Sequence, residues 1–220
     1  MIDKIWKLAL FIWMTLVILG AFLWAPLAEG LGEYTRILYF HVPVAWVTVV
    51  AFLIGAVYSG LYLRKRDIIL DRKAEAAGQL GFLFCILATI TGSVWAKMSW
   101  GSFWNWDPRE TSIFILLLVY AAYFALRSAI EQPERRAALG SVYALLAFIT
   151  VPFFIFIVPR VYASLHPDPL INTQGKIHMD GKMLAVFLSS LFGFTVIFFW
   201  MFRTKLDLIA LKMDISRQEK

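Results

Sequence analysis

Six stretches of this chain are almost unbroken apolar runs, at about 5–25, 43–63, 77–96, 111–127, 138–158 and 183–202, separated by short polar or charged segments. Each run holds roughly 18–22 residues, enough for a helix to cross a hydrocarbon core of about 30 Å. Their apolar residues are continuous and do not alternate, which argues against the strands of a membrane barrel. The pattern predicts an all-α polytopic membrane protein, a single bundle of six transmembrane helices over residues 1–220. The first run, preceded by Lys4 and Lys7, reads as a retained span: from Leu8 to Ala25 it outruns a typical signal core, and no small-x-small cleavage site follows.

Composition agrees, with 60% apolar residues and a mean hydropathy of +0.72. The charge, +6 net, lies in the segments between runs and decides orientation. Of the 21 Lys and Arg, all but Arg36, Lys97, Arg109, Arg160, Lys176 and Lys182 fall in the N-terminus, the 64–76 loop, the 128–137 loop with its border, or the tail. Cytoplasmic loops carry that excess, so both termini are expected in the cytoplasm. Membrane lipid explains the basic tail more simply than nucleic acid does.

The interiors of the runs lack ionisable groups, which argues against an ion-coupled carrier or pump. Gly55, Ser59, Gly60, Gly78 and Gly81 provide small surfaces for close helix packing. Cys85, the only cysteine, excludes disulfides and cysteine-cluster metal sites within one chain. Chemistry is therefore expected in the outward segments, which hold all three histidines, His41, His166 and His178.

The most informative of these segments is 97–110, where Trp100, Phe103, Trp104 and Trp106 lie within seven residues, close behind Trp95. An aromatic belt at the interface suits Trp24, Trp46 and Trp95, but such crowding is too dense for anchoring alone. Gly101 permits a tight turn that gathers the rings. Asp107-Pro108-Arg109-Glu110 is a helix start, with Asp107 as N-cap and Glu110 closing a capping box, and capping is the preferred reading of both carboxylates. His41 precedes Pro43, which suits the first helical turn and would hold His41 just outside the second span. An interfacial histidine with a wet ring fits that position equally well. The 159–182 loop carries His166 beside the stiffening Pro167 and Pro169, and His178 in a setting that suits a solvated histidine.

Zinc is disfavoured by the absence of cysteine and of close His spacing, and a serine hydrolase by the absence of a nucleophile elbow. Haem fits better: imidazoles ligate its iron from one or both faces, indoles cover the macrocycle, and Arg36, Lys97, Arg109 or Arg160 could meet its propionates.

Trp100-Gly-Ser-Phe-Trp104-Asn-Trp106-Asp107 resembles the tryptophan-rich "WWD" signature of the haem-handling proteins of cytochrome c biogenesis. Arg36-Ile-Leu-Tyr-Phe-His41-Val-Pro43 and Ser164-Leu-His166-Pro167 resemble the segments carrying that family's two external histidines. With six spans, the chain is most similar to the CcmC branch. The resemblance implies haem b (iron protoporphyrin IX) bound transiently at the periplasmic side of the bacterial inner membrane. His41 and His166 would be its axial ligands, with Trp100, Phe103, Trp104, Trp106, Asp107, Arg109 and Arg36 around it. It implies a non-enzymatic role, delivery to the haem chaperone CcmE alongside the ABC-type complex CcmA/CcmB and the small protein CcmD. Asp107-Pro-Arg-Glu-Thr111 is closer to the related CcsA and CcmF types, which implies the alternative of a cytochrome c synthase subunit, a haem lyase.

Overall fold

A computed structural model describes residues 2–166 and 179–218. Among these the chain is helical, without strands. The helices are α1 (Ile2–Leu19), α2 (Thr35–Lys65), α3 (Ile68–Trp100), α4 (Pro108–Ser128), α5 (Pro133–Pro152), the short α6 (Val158–Val161) and α7 (Gly181–Gln218). A π turn, Gly20–Trp24, prolongs α1, and another, Phe153–Ile157, joins α5 to α6. Six helical segments are long and apolar enough to cross a membrane. All six expected runs are thus helices.

Three of them outrun their apolar stretches. The 31 residues of α2, 33 of α3 and 38 of α7 make rods of about 46, 50 and 57 Å. The expected 64–76 loop shrinks to Arg66 and Asp67: Arg66 takes a left-handed conformation (φ +58), and Asp67 caps α3 by accepting from the Ile69 N–H (2.9 Å). Residues 68–76 are charged but rich in good helix formers, so the helix starts long before the apolar run does.

The α2–α3 hairpin is the centre of the bundle. Val44, Val47 and Ala51 of α2 pack with Ala76, Ala77, Leu80 and Phe84 of α3 and with Phe198 of α7. The small residues admit close approach as expected. A Cβ on Gly81 would lie 2.6 Å from the Phe52 ring, so only glycine lets Phe52 pass across α3 and stack on Tyr120 of α4. On its other side α7 receives α1, whose Met14 and Trp13 rest on Gly193, with the Trp13 indole N–H donating to the Ser189 carbonyl (2.9 Å).

At the Arg66 end, Arg127 of α4 grips Asp71 of α3 through two hydrogen bonds (2.7 and 2.9 Å) and reaches Glu75 (2.9 Å). Gly140 of α5 leaves room for it, since a Cβ there would meet the guanidinium at 2.6 Å. Asp71 and Arg127 are both buried. Hydropathy runs do not reveal this ion network, because each member sits just beyond or at the border of one.

Candidate functional site

At the opposite end of the bundle, α3 is the spine of the site. His41 is not outside α2 but its seventh residue, two turns within a spanning helix, and Pro43 lies inside the helix as well. Proline removes one N–H, which strands the carbonyl four residues earlier, that of Tyr39. Ser190 of α7 donates its hydroxyl to that carbonyl, so α2 runs on unbroken. The His41 ring then packs against α3, where a Cβ on Gly92 would come 3.0 Å from its Cε1. Its Nδ1 is 2.9 Å from the Thr91 hydroxyl.

His166 meets the same helix about one to two turns further along. Its ring lies 5.3 Å from Trp95 and 4.7 Å from Trp100, centroid to centroid. Gly101, with φ +84, ends α3 here, aided by Lys97, whose ammonium donates to the Gly101 carbonyl (2.8 Å). The chain then turns through Ser102–Trp106 into α4.

Asp107 opens α4 as the sequence requires. Its carboxylate accepts from the Arg109 N–H (2.9 Å), while Glu110 accepts from the Asp107 N–H (3.3 Å) and the Asn105 N–H (2.7 Å). The same carboxylate also accepts from the Leu165 N–H (2.7 Å), the Ser164 hydroxyl (2.9 and 3.0 Å) and His166 Nδ1 (2.9 Å). It thereby ties the segment after α6 to the start of α4. Burial works against its ionisation, but the hydrogen bonds from Arg109, Leu165 and Ser164 outweigh burial and hold the carboxyl below the ordinary carboxylate range. Burial, then the positive charge of Arg109, pull His166 down to about 4 against the opposing influence of Asp107. At pH 7 His166 is a neutral imidazole beside an ionised carboxylate.

The aromatic residues divide into two groups. Trp95 and Trp100 pack edge-on to each other (4.8 Å) around His166. Trp104 leans on Trp106 (5.8 Å) and on Phe114 of α4 (6.0 Å). Phe103 and Trp106 stand out from the protein, Trp106 with 69% of its surface exposed. Trp106 also adopts φ +56, a conformation bulky residues avoid, which holds its indole in the open at a conformational cost.

The four cations are not equivalent. Arg36 is engaged elsewhere: it pairs with Glu33 (2.6 Å), donates to the Ala21 carbonyl and covers Phe22, which fastens the π turn after α1 to α2. Arg160 is exposed and donates to the Phe156 carbonyl (2.6 Å), and Lys97 lies over Phe103. Arg109, in the first turn of α4, brings its positive charge near both His41 and His166, and the two imidazoles lie near each other. Helix α2 and the segment after α6, far apart in sequence, thus converge on one end of α3.

The sequence pattern of the family described as Heme exporter protein C matches residues 1–220. The chain belongs to this family. Curated members similar to it include the Heme exporter protein C of Bradyrhizobium diazoefficiens, 32% identical with 85% of this chain and 69% of the relative covered. That of Rhodobacter capsulatus is 29% identical, with 90% and 83% covered, and that of Haemophilus influenzae 30% identical, with 94% and 86% covered.

In this haem exporter C family member, the expected residues His41, His166, Trp100, Asp107 and Arg109 come together. Trp104, Trp106 and Phe103 lie on the outer side of the same turn, and Arg36 on the α1 side of α2. His178, Pro167 and Pro169 lie outside the described residues. Trp95, read as a belt residue, is also half of the indole pair around His166. Sequence reasoning missed it together with Thr91, Gly92 and Ser164. Thr91, Gly92 and Trp95 recur at helical spacing on one face of α3, which was the available signal.

Proposed function

We propose that this multi-pass membrane protein binds haem at the outer face of the bacterial inner membrane and passes it to the chaperone CcmE during cytochrome c maturation. CcmA/CcmB and CcmD would be its assembly partners. The observation that carries this reading is the convergence of two imidazoles, His41 and His166, on the tryptophan-bearing end of α3. Neutral imidazole is a good axial ligand for haem iron, and a porphyrin face is large, flat and apolar. Trp95 and Trp100 wall the His166 side. Arg109, with its charge near both histidines, is the best-placed cation for a propionate.

Binding by side chains on a helix and a turn, without enclosure in a core, suits a cargo that must leave. The exposed Phe103 and Trp106 lie where an incoming acceptor would meet the macrocycle edge. The alternative, a cytochrome c synthase subunit, is motivated by Asp107-Pro-Arg-Glu-Thr111, a stretch that also caps α4, and covalent haem on an apocytochrome coexpressed with this chain alone would favour it. The protein purified in detergent should show a Soret band that His41→Ala with His166→Ala abolishes or greatly weakens. Full haem retention in that double variant would refute ligation by these two residues.

A further inference from the structure

Each histidine of the site has Nδ1 within hydrogen-bonding distance of a side-chain oxygen. At His166 the acceptor is the Asp107 carboxylate (2.9 Å). The Ser164 hydroxyl lies 3.3 Å from the same nitrogen, but its proton is directed to Asp107. At His41 the partner is the Thr91 hydroxyl (2.9 Å), which also faces the Leu87 carbonyl (2.8 Å) and the Ala88 carbonyl (3.2 Å) as acceptors for its single proton. A hydroxyl that has donated its proton can only accept. With the hydroxyl protons on these acceptors, both rings carry their proton on Nδ1 and keep the lone pair on Nε2.

We infer that Asp107 and Thr91 are positioning residues for haem ligation. By accepting from Nδ1–H they fix the tautomer and the plane of His166 and His41, and so present both Nε2 lone pairs to the iron without touching it. The inference rests on the haem-binding reading above. The supports differ in kind. Thr91 belongs to the helix against which His41 is packed, so its contribution is orientation. Asp107 carries charge and also fixes the irregular segment that bears His166, through Leu165 N–H and the Ser164 hydroxyl. A carboxylate on Nδ1 makes the imidazole a stronger donor, which favours ferric over ferrous iron.

Serine caps a helix about as well as aspartate, so Asp107→Ser keeps the start of α4 while removing the support of His166. Thr91→Val removes only the hydroxyl, and Thr91→Ser restores it. Haem-loaded protein of each variant should be followed by absorption spectroscopy, retention on dilution and redox titration. Asp107→Ser should lose haem about 10–100-fold more readily, the usual consequence of removing a partner behind a metal-bound histidine. Its spectrum should move from six-coordinate low-spin towards five-coordinate high-spin, and added imidazole should reverse that. Its midpoint potential should rise. Thr91→Val should show the spin change and Thr91→Ser should not. Wild-type spectrum, potential and retention in Asp107→Ser and Thr91→Val, with haem lost from His166→Ala, would overturn the inference and leave ligation standing. An unchanged spectrum in His41→Ala and His166→Ala as well would remove ligation and the positioning roles together.

Discussion

At the scale of single residues, the site depends on a repair made elsewhere. Pro43 reads in the sequence as a helix start, and that reading placed His41 outside α2. The structure carries the helix through the proline because Ser190, 151 residues from Tyr39 in the chain, gives the Tyr39 carbonyl the donor that Pro43 lacks. No local pattern encodes such a partner, so the error was physical and not one of motif. Ser190→Ala should destabilise the protein by about 1–3 kcal/mol, the cost of leaving a buried carbonyl unsatisfied. Pro43→Ala returns an N–H to α2, so the same serine change in a Pro43→Ala background should cost much less. Thermal unfolding in detergent of the four proteins in this cycle measures the coupling, and equal costs in both backgrounds would refute the repair. Asp107 teaches a related lesson. Its capping role was legible from Asp-Pro-x-Glu, and capping and function looked like competing readings. They are compatible, because a carboxylate has enough lone pairs to cap α4 and hold His166 at once.

At the scale of elements, α3 organises the site, and this was the part least visible in sequence. Six apolar runs announce six spans, but hydropathy cannot say which helix face looks at which neighbour. The faces follow from small residues: Gly81 under Phe52 in the middle of α3, and Gly92 under His41 near its end. Gly92 makes two demands that oppose each other. Within a helix, replacing glycine by alanine favours folding by up to about 1 kcal/mol. Here the added Cβ would lie 3.0 Å from His41 Cε1, so the ring must tilt or slide. Gly92→Ala should therefore hold or raise the unfolding temperature while reducing haem retention and disturbing the low-spin spectrum. Retention equal to wild type would mean that the imidazole has slack the site does not use. The extra helical length of α2, α3 and α7 was likewise hidden, since charged residues end an apolar run without ending a helix.

At the scale of the whole molecule, the bundle has two unlike ends. One carries the Arg66–Asp67 turn, the Asp71–Arg127–Glu75 network and the Arg135 and Arg136 region. The other carries the tryptophans, His41 and His166. The ion network lets an arginine sit inside the helix bundle at a place where the chain must also pack closely, and its partners on α3 clamp α3 to α4. Those same two helices bracket the Trp100–Asp107 turn at the far end, so a firm clamp at one end fixes the separation of helix tips at the other. Basic residues concentrate on the clamped end, and the charge bias of short loops predicts that this end faces the cytoplasm and the histidine end the outside. Single cysteines placed in a Cys85→Ser background at Asp67 and at Ser102 separate the two faces. In intact cells with a permeable outer membrane, a charged maleimide should label Ser102→Cys and spare Asp67→Cys until the inner membrane is broken. Labelling in the reverse order would put the imidazoles on the cytoplasmic side, where a haem-transfer protein of this orientation could not serve a periplasmic acceptor.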